Sequence, residues 1–298
     1  MDKWFENKFE RDKIRSSNLK NLNSPSGFSR KLSITVWLII INLAVFVLTI
    51  FLTGIYGQEK ILGFLALQPT ALFQGYFWTL LTSIFIHGGI EHILANMVSL
   101  FFVGGFLEKI IGRKRFLWLY ILAGVFAGIF YSALSFFFGS SGIGEKIFIN
   151  PSVFAVGASG AIFGLLGVLA VLIPKNKIYL IAGPLLALIA EFVIMAIFPS
   201  SAVSSVLGFL VTFYFIFSFF AIFSFNRKLL RLAVPLEMPM WLLPIVAIVP
   251  LIVIGLFVEL PIGNTAHLGG LIAGIFYGTY LKNKYRRKTA AIRKMFGS

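Results

Sequence analysis

The sequence predicts an all-α fold, a polytopic bundle of membrane helices, from its composition, its apolar stretches and the placement of its basic residues. Of 298 residues, 58% are hydrophobic and only 12% are charged, and the mean hydropathy is +0.93. Soluble domains are about 45–50% apolar and about 25% charged. This chain therefore has more apolar surface than one water-soluble core can bury, and its length suits one bundle better than several domains.

Eight apolar stretches have roughly the 20 residues that a helix needs to cross the hydrocarbon core of a bilayer. They cover residues 33–54, 92–111, 115–138, 157–173, 178–198, 203–225, 240–259 and 266–282. The link at 199–202 is so short that the fifth and sixth stretches are expected to form a helical hairpin.

Basic residues predict the orientation of the bundle. Of the 26 Lys and Arg residues, all except Lys60 and Lys146 lie in the two tails, in alternate links between the eight stretches, or at the stretch ends that adjoin them. Short loops with an excess of Lys and Arg stay in the cytoplasm, so both termini are expected there. We expect a cytoplasmic tail at 1–32, a membrane domain at 33–282 and a basic cytoplasmic tail at 283–298. The net charge of +15 then reflects topology and contact with anionic lipid, and no nucleic-acid partner is expected.

Missing residue types narrow the possible chemistry. The sequence contains no cysteine, which excludes thiolate catalysis and cysteine-ligated metals. Its only aspartates, Asp2 and Asp12, lie in the N-terminal tail. A Ser-His-Asp triad therefore cannot form on the outer side of the membrane. An intramembrane aspartyl protease, which needs two buried aspartates, is excluded as well.

Ser159 lies at the start of the fourth stretch, in the sequence Gly157-Ala-Ser-Gly160. Small neighbours allow a backbone or a substrate to approach the hydroxyl closely. The helix that follows has about 17 residues and a length of about 25 Å, less than the roughly 30 Å of a bilayer core. Ser159 is therefore expected below the outer membrane surface. Taken alone, however, the tetrapeptide fits a small-residue packing contact better than a catalytic site.

His267 lies at the start of the last stretch, with glycines three, seven and eleven residues further on. One helix face therefore carries the histidine together with Gly270, Gly274 and Gly278. Such a groove permits very close approach of a second helix. If that helix is the one after Ser159, with its own glycines, the imidazole reaches the hydroxyl and a Ser-His dyad results. The alternative is a histidine at the membrane interface with no chemical role.

A third group of polar residues precedes the second stretch. His92 and Asn96 share one helix face, and both can donate hydrogen bonds to a developing oxyanion. His87 lies in the loop before them. The helices that begin near 92, 157 and 266 all start on the outer side, so these groups lie at one membrane level. A zinc site is the competing interpretation, but HExxH is absent and HxxEH is lengthened by one residue, so no metal and no cofactor is expected.

The three motifs, HxxxxHxxxN, GxSG and AHxxGxxxG, follow one another on three separate spans and resemble those of the rhomboid intramembrane proteases. The similarity extends over about residues 75–282 and includes Glu108, which is expected to be structural. The resemblance implies a rhomboid-like six-helix core, here with two extra helices, and an enzyme that cuts transmembrane helices near their outer ends without a cofactor.

Site roles follow from the same resemblance. It implies that Ser159 is the nucleophile and His267 the general base. It implies an oxyanion hole made of His92, Asn96 and the backbone amide of Ser159. Phe163 stands where the family often has an aromatic residue that stacks on the histidine, and Gly157 would keep the hole open.

The chain departs from the family pattern in two places. Trp78-Thr79 replaces the Trp-Arg that the family often has in its first outer loop. The two extra spans, 178–198 and 203–225, lie between the Ser159 and His267 helices. An even insertion preserves the direction of both helices, and the stretch 240–259 is expected to gate lateral entry of the substrate. Glu191 lies in the middle of the first extra span, without an obvious partner in the sequence.

These observations predict an intramembrane serine endopeptidase in the cell membrane, with its active site toward the extracytoplasmic side and single-span membrane proteins as substrates. Two alternatives remain. One is an inactive rhomboid-like protein that binds membrane clients, and the other is a transporter that uses Glu191 as its proton site.

Overall fold

Helices dominate the computed structural model, which describes residues 32–198, 202–224, 226–257 and 263–296. The first half contains α1 Ile34–Tyr56, α2 Gln58–Leu65, α3 Pro69–Phe73, α4 Thr79–Thr82, α5 Ile90–Ile111, α6 Arg113–Phe138 and α7 Gly142–Phe148. The second half contains α8 Ser159–Leu172, β1 Lys177–Ile181, α9 Ala182–Ile197, α10 Ala202–Phe223, α11 Arg227–Leu232, β2 Pro235–Pro239, α12 Leu243–Gly255, α13 Asn264–Lys284 and α14 Arg286–Met295. A π-helical turn, Leu100–Gly104, interrupts α5.

Each predicted span corresponds to a helix of this structure. Among the described residues, four helical segments are long and apolar enough to cross a membrane: α1, α5, α6 and the part of α10 from Ser205 to Phe223. The described parts of α8, α9 and α12 contain shorter apolar helices, and α13 has 21 residues. The helical, polytopic fold class is thereby confirmed, while the count of eight crossings stays a prediction. The link at 199–201 and the tail at 1–31 lie outside the described residues.

Two span boundaries were placed wrongly. The stretch 178–198 begins with a strand rather than a helix, because β1 pairs antiparallel with β2 and Lys177 forms an ion pair with Glu237 at 2.6 Å. The stretch 240–259 is helical only from Leu243 to Gly255 in its described part. The first error has a physical cause: an apolar run of this length fits a helix, and the strand partner of β1 lies far away in the sequence.

The centre of the bundle is α8, which packs between α6 and α13. Gly270 and Gly274 of α13 lie against the carbonyl groups of Gly160 and Gly164, so closely that no side chain fits at either position. Gly278 packs against Val168 further along α8. The predicted contact between the two glycine faces is confirmed.

The segment between α1 and α5 contains three short helices, which the apolar pattern did not predict. The indole of Trp78 donates to the carbonyl of Phe64 at 2.8 Å, and Thr82 Oγ1 donates to the carbonyl of Leu65 at 2.7 Å. These bonds hold α2 and α4 together. Trp78 and Thr82 thus provide side-chain hydrogen bonds in a loop that lacks the arginine common in the family.

Glu108 binds the start of α1. Its carboxylate accepts hydrogen bonds from the backbone amides of Ile34 and Thr35, both at 2.9 Å, and from the Thr35 hydroxyl at 2.8 Å. The first N–H groups of a helix have no partner within the helix, so a buried carboxylate there satisfies them. The structural role expected of Glu108 is confirmed.

The described part of the predicted C-terminal tail is helical. After α13 ends at Lys284, α14 turns back onto the bundle, where Phe296 packs against Phe106. Arg293 donates to the carbonyl groups of Val171 at 2.7 Å and Leu172 at 3.1 Å. A cation at the C-terminal end of α8 is favoured by the helix dipole.

The two extra helices, α9 and α10, pack against each other, and α10 also lies beside α5. At one end of this contact, Phe223 of α10 packs against Phe101 and Phe102, with ring centroids 6.0 Å apart in both pairs. In contrast, α12 packs beside α13 and α8. We name α9 and α10 the extra hairpin.

Candidate active site

Ser159 and His267 lie within hydrogen-bond distance of each other. Ser159 is the first residue of α8, and His267 lies in the first turn of α13. The distance from His267 Nε2 to Ser159 Oγ is 2.9 Å. The glycine contact between α8 and α13 produces this proximity, because it brings the two backbones closer than larger side chains would allow.

Phe163 fixes the plane of the His267 ring. The two rings stack with centroids 4.5 Å apart and an angle of 18° between their planes. His267 is 8% exposed, and its Nδ1 atom has no hydrogen-bond partner among the described residues. In a serine protease triad, a carboxylate at Nδ1 orients the imidazole. Here the face of Phe163, one helical turn after Ser159, limits the orientation of the ring instead.

His92 and Asn96 lie against the backbone just before Ser159. A Cβ atom built on Gly157 would be 2.6 Å from Nε2 of His92 and 3.7 Å from Nδ2 of Asn96. Gly157 also has φ +120°, which residues with a side chain rarely adopt. Both observations require glycine at this position. The side chain of Asn96 donates to the carbonyl of His92 at 2.9 Å, which holds it on the same face of α5.

His87 lies behind His92 and is buried. Its Nδ1 atom is 3.3 Å from the carbonyl of Phe85, and its ring meets the edge of His92 with centroids 5.2 Å apart. The rings of the two histidines therefore form an edge-on pair, while the supporting role expected of His87 stays a prediction. In the part of the chain that the structure describes, no group of three or more His, Cys, Asp or Glu side chains is arranged to hold a metal ion.

Backbone hydrogen bonds position the segment before Ser159. The amide of Gly157 donates to the carbonyl of Ser83 at 2.9 Å. Leu67 and Ala155 form an isolated antiparallel bridge, with bonds of 3.0 and 2.7 Å. Sequence reasoning missed these positions, because a backbone bond between distant segments leaves no pattern in the residue types.

Glu191 lies in the extra hairpin, opposite a glycine. A Cβ atom on Gly208 of α10 would be 2.9 Å from Glu191 Oε1, so the missing side chain makes room for the carboxylate. A second carboxylate of this region, Glu91 of α5, accepts a hydrogen bond from Thr212 Oγ1 at 2.8 Å. The sequence contained no signal for either contact.

Comparisons with known proteins agree with the motif pattern. The family model of the rhomboid domain matches residues 74–221 and 199–284, which overlap and together cover well over half of the chain. The chain is similar to "Rhomboid protease GluP" of Bacillus subtilis (strain 168), with 36% identity over 139 residues, 45% of this chain and 24% of that protein. It is similar to "RHOMBOID-like protein 1" of Arabidopsis thaliana, with 42% identity over 121 residues, 40% of this chain and 27% of that protein.

A shorter relative gives the same result. "Putative rhomboid protease YdcA" of Bacillus subtilis (strain 168) is 36% identical over 95 residues, 32% of this chain and 41% of that protein. The chain spans less than half the length of each of these three relatives. The family model, the ordered motifs and the apolar helices lead to one conclusion: the chain is a multi-pass membrane protein that belongs to the rhomboid family.

Proposed function

We propose that this protein is an intramembrane serine endopeptidase that cleaves transmembrane helices near the outer face of the membrane with a Ser159–His267 dyad. One observation carries the proposal: the 2.9 Å distance between His267 Nε2 and Ser159 Oγ. A nucleophile within hydrogen-bond reach of a base is the minimum arrangement for acyl transfer. The protease names of two bacterial relatives support the same reaction class.

The first half of the reaction forms an acyl-enzyme. Ser159 Oγ attacks the carbonyl carbon of the scissile bond while His267 Nε2 takes its proton. The negative charge that develops on the carbonyl oxygen accepts hydrogen bonds from His92, from Asn96 and from the backbone amide of Ser159. When the carbon–nitrogen bond breaks, His267 returns the proton to the departing amine.

The second half releases the acid product. Water attacks the acyl-enzyme carbonyl and gives one proton to His267, and the same donors stabilise the second oxyanion. The carbon–oxygen bond to Ser159 then breaks, and His267 returns the proton to Ser159 Oγ. The chemistry needs no metal and no organic cofactor.

The proposal includes a depth and an orientation. Ser159 begins a helix of 14 residues, about 21 Å long, which is shorter than a bilayer core of about 30 Å. The outer end of α8 therefore lies below the outer surface, where the site meets a substrate helix within the membrane. The asymmetry of Lys and Arg supports eight spans, both termini in the cytoplasm and an active site on the extracytoplasmic side of the cell membrane. Single-span membrane proteins are the substrate class.

The test is cleavage of a reporter transmembrane helix in reconstituted vesicles. Wild-type protein is expected to produce two fragments, and Ser159→Ala and His267→Ala are expected to produce none above background. Ser152→Ala is the matched control, because it removes the hydroxyl of an exposed serine shortly before the site. Fragments formed at the wild-type rate by Ser159→Ala would refute the proposal. Tight binding of the reporter without cleavage by the wild type would favour a client-binding protein.

A further inference from the structure

One side-chain hydrogen bond joins the extra hairpin to the helix that carries His92. Thr212 Oγ1 of α10 donates to Glu91 Oε1 of α5 at 2.8 Å, although the two residues are 121 positions apart in the sequence. Eleven residues further along α10, Phe223 packs against Phe101 and Phe102 of α5. The spacing between the two contacts is nearly the same on both helices, so α10 runs parallel to α5 and touches it at two levels.

The start of α5 depends on contacts from outside the helix. Its N-cap residue is Gly89, which makes no side-chain capping hydrogen bond. The first amides of a helix have no partner within the helix, so an uncapped start is weakly held. Glu91, in the first turn, is favoured there by the helix dipole. Its hydrogen bond to Thr212 attaches this first turn to a second helix, α10.

His92 follows Glu91 directly and has little positional freedom. Its imidazole packs so closely on Gly157 that a single added methyl group would contact Nε2 at 2.6 Å. Oxyanion donors act at about 2.7–3.1 Å from the oxygen they stabilise. A shift of about 1 Å can cost about 100-fold in rate. Glu91 and His92 are neighbours in the chain, so a displacement of Glu91 in the first turn of α5 also displaces His92 in the oxyanion hole.

Two carboxylates face the same strip of α10. Glu191 lies against Gly208, and Glu91 binds Thr212, which is one helical turn further on. In a half-buried environment, a carboxylate without a donor is costly. Removal of the Thr212 hydroxyl would leave Glu91 Oε1 without this donor and would favour a different side-chain position.

We propose that Thr212 is a positioning residue for the proteolytic reaction, and that it acts through Glu91 on His92. This inference rests on the proposed function. In this arrangement the extra hairpin contributes to stabilisation of the oxyanion through its hydrogen bond to α5. Thr212 is therefore expected to affect the turnover step rather than substrate binding.

The experiment measures kcat and KM for reporter cleavage in vesicles. Thr212→Val removes the donor and keeps the branched shape, and kcat is expected to fall about three- to tenfold, as for loss of one hydrogen bond. KM is expected to change by less than about twofold, since the substitution does not alter how tightly the enzyme binds the substrate before the reaction. Thr212→Ser keeps the hydroxyl and is expected to have the wild-type kcat. The matched control is Ser218→Ala on the same helix, because the Ser218 hydroxyl bonds to the Tyr214 carbonyl within α10 at 2.8 Å.

A double-variant cycle tests whether the effect passes through Glu91. Glu91→Ala is expected to lower kcat as Thr212→Val does, and the double variant is expected to show no further loss. Wild-type kcat in Thr212→Val, beside an inactive Ser159→Ala, would overturn the inference and leave the proposed function intact. A raised KM at unchanged kcat, or faster cleavage, would also overturn it, because the contact would then control entry of the substrate. Absence of cleavage by the wild type would refute the proposed function itself.

Discussion

Gly157→Ala is the substitution that tests the oxyanion hole most sharply. The new methyl group would lie 2.6 Å from His92 Nε2 and 2.8 Å from His92 Cε1. Ordinary contact begins near 3.5 Å, so the imidazole must retreat by about 1 Å. Removal of one oxyanion donor lowers kcat by about 10²–10³-fold in a serine protease. We expect a loss of this size in Gly157→Ala, with KM little changed.

The same substitution also strains the backbone. Gly157 has φ +120°, and a residue with a side chain in such a region costs about 1–3 kcal/mol. Gly75→Ala separates the two effects, because Gly75 has φ +107° and its Cβ would meet nothing within 4 Å. For both variants, the free energy of unfolding measured in detergent is expected to fall, whereas kcat is expected to fall only in Gly157→Ala. Wild-type kcat in folded Gly157→Ala would refute the placement of His92 in the reaction.

Three further substitutions give distinct outcomes. Phe163→Leu removes the ring stacked on His267, and kcat from steady-state kinetics is expected to fall about two- to tenfold. Phe163→Tyr keeps the stacked ring and is expected to keep the wild-type kcat. Glu108→Ala removes the acceptor for the amides at the start of α1, and the free energy of unfolding, measured by denaturant titration, is expected to fall by about 1–3 kcal/mol. The kcat of the folded variant is expected to be unchanged. Gly274→Ala pushes α13 away from α8 and is expected to lower both stability and cleavage, whereas Gly255→Ala, where a Cβ meets nothing within 4 Å, is expected to change neither.

The contact between the Ser159 and His267 helices could be predicted because glycine spacing along a helix is a local pattern. Gly270 and Gly274 recur on one face whatever the rest of the chain does, and a glycine face permits close packing with another glycine face. The helix after Ser159, with Gly160 and Gly164, offered one such partner face. The structure shows this pairing, with the dyad distance as its consequence.

Contacts between distant segments could not be predicted in this way. The Thr212–Glu91 bond joins residues 121 positions apart, and threonine in a membrane helix is common enough to carry no signal. The strand at Lys177–Ile181 pairs with a strand that follows three helices later in the sequence, so its apolar residues resembled the start of a span. The short helices near Trp78 are held by bonds to backbone carbonyls, which every residue type possesses.

The central claim is that His267 activates Ser159, and covalent labelling tests it most directly. A fluorophosphonate probe reacts with an activated serine hydroxyl, and peptide mapping by mass spectrometry locates the adduct. We predict one adduct, on Ser159, whose formation is lost in His267→Ala and retained in the control Ser152→Ala. An adduct on Ser159 that forms equally fast in His267→Ala, or labelling of a different serine, would contradict the account.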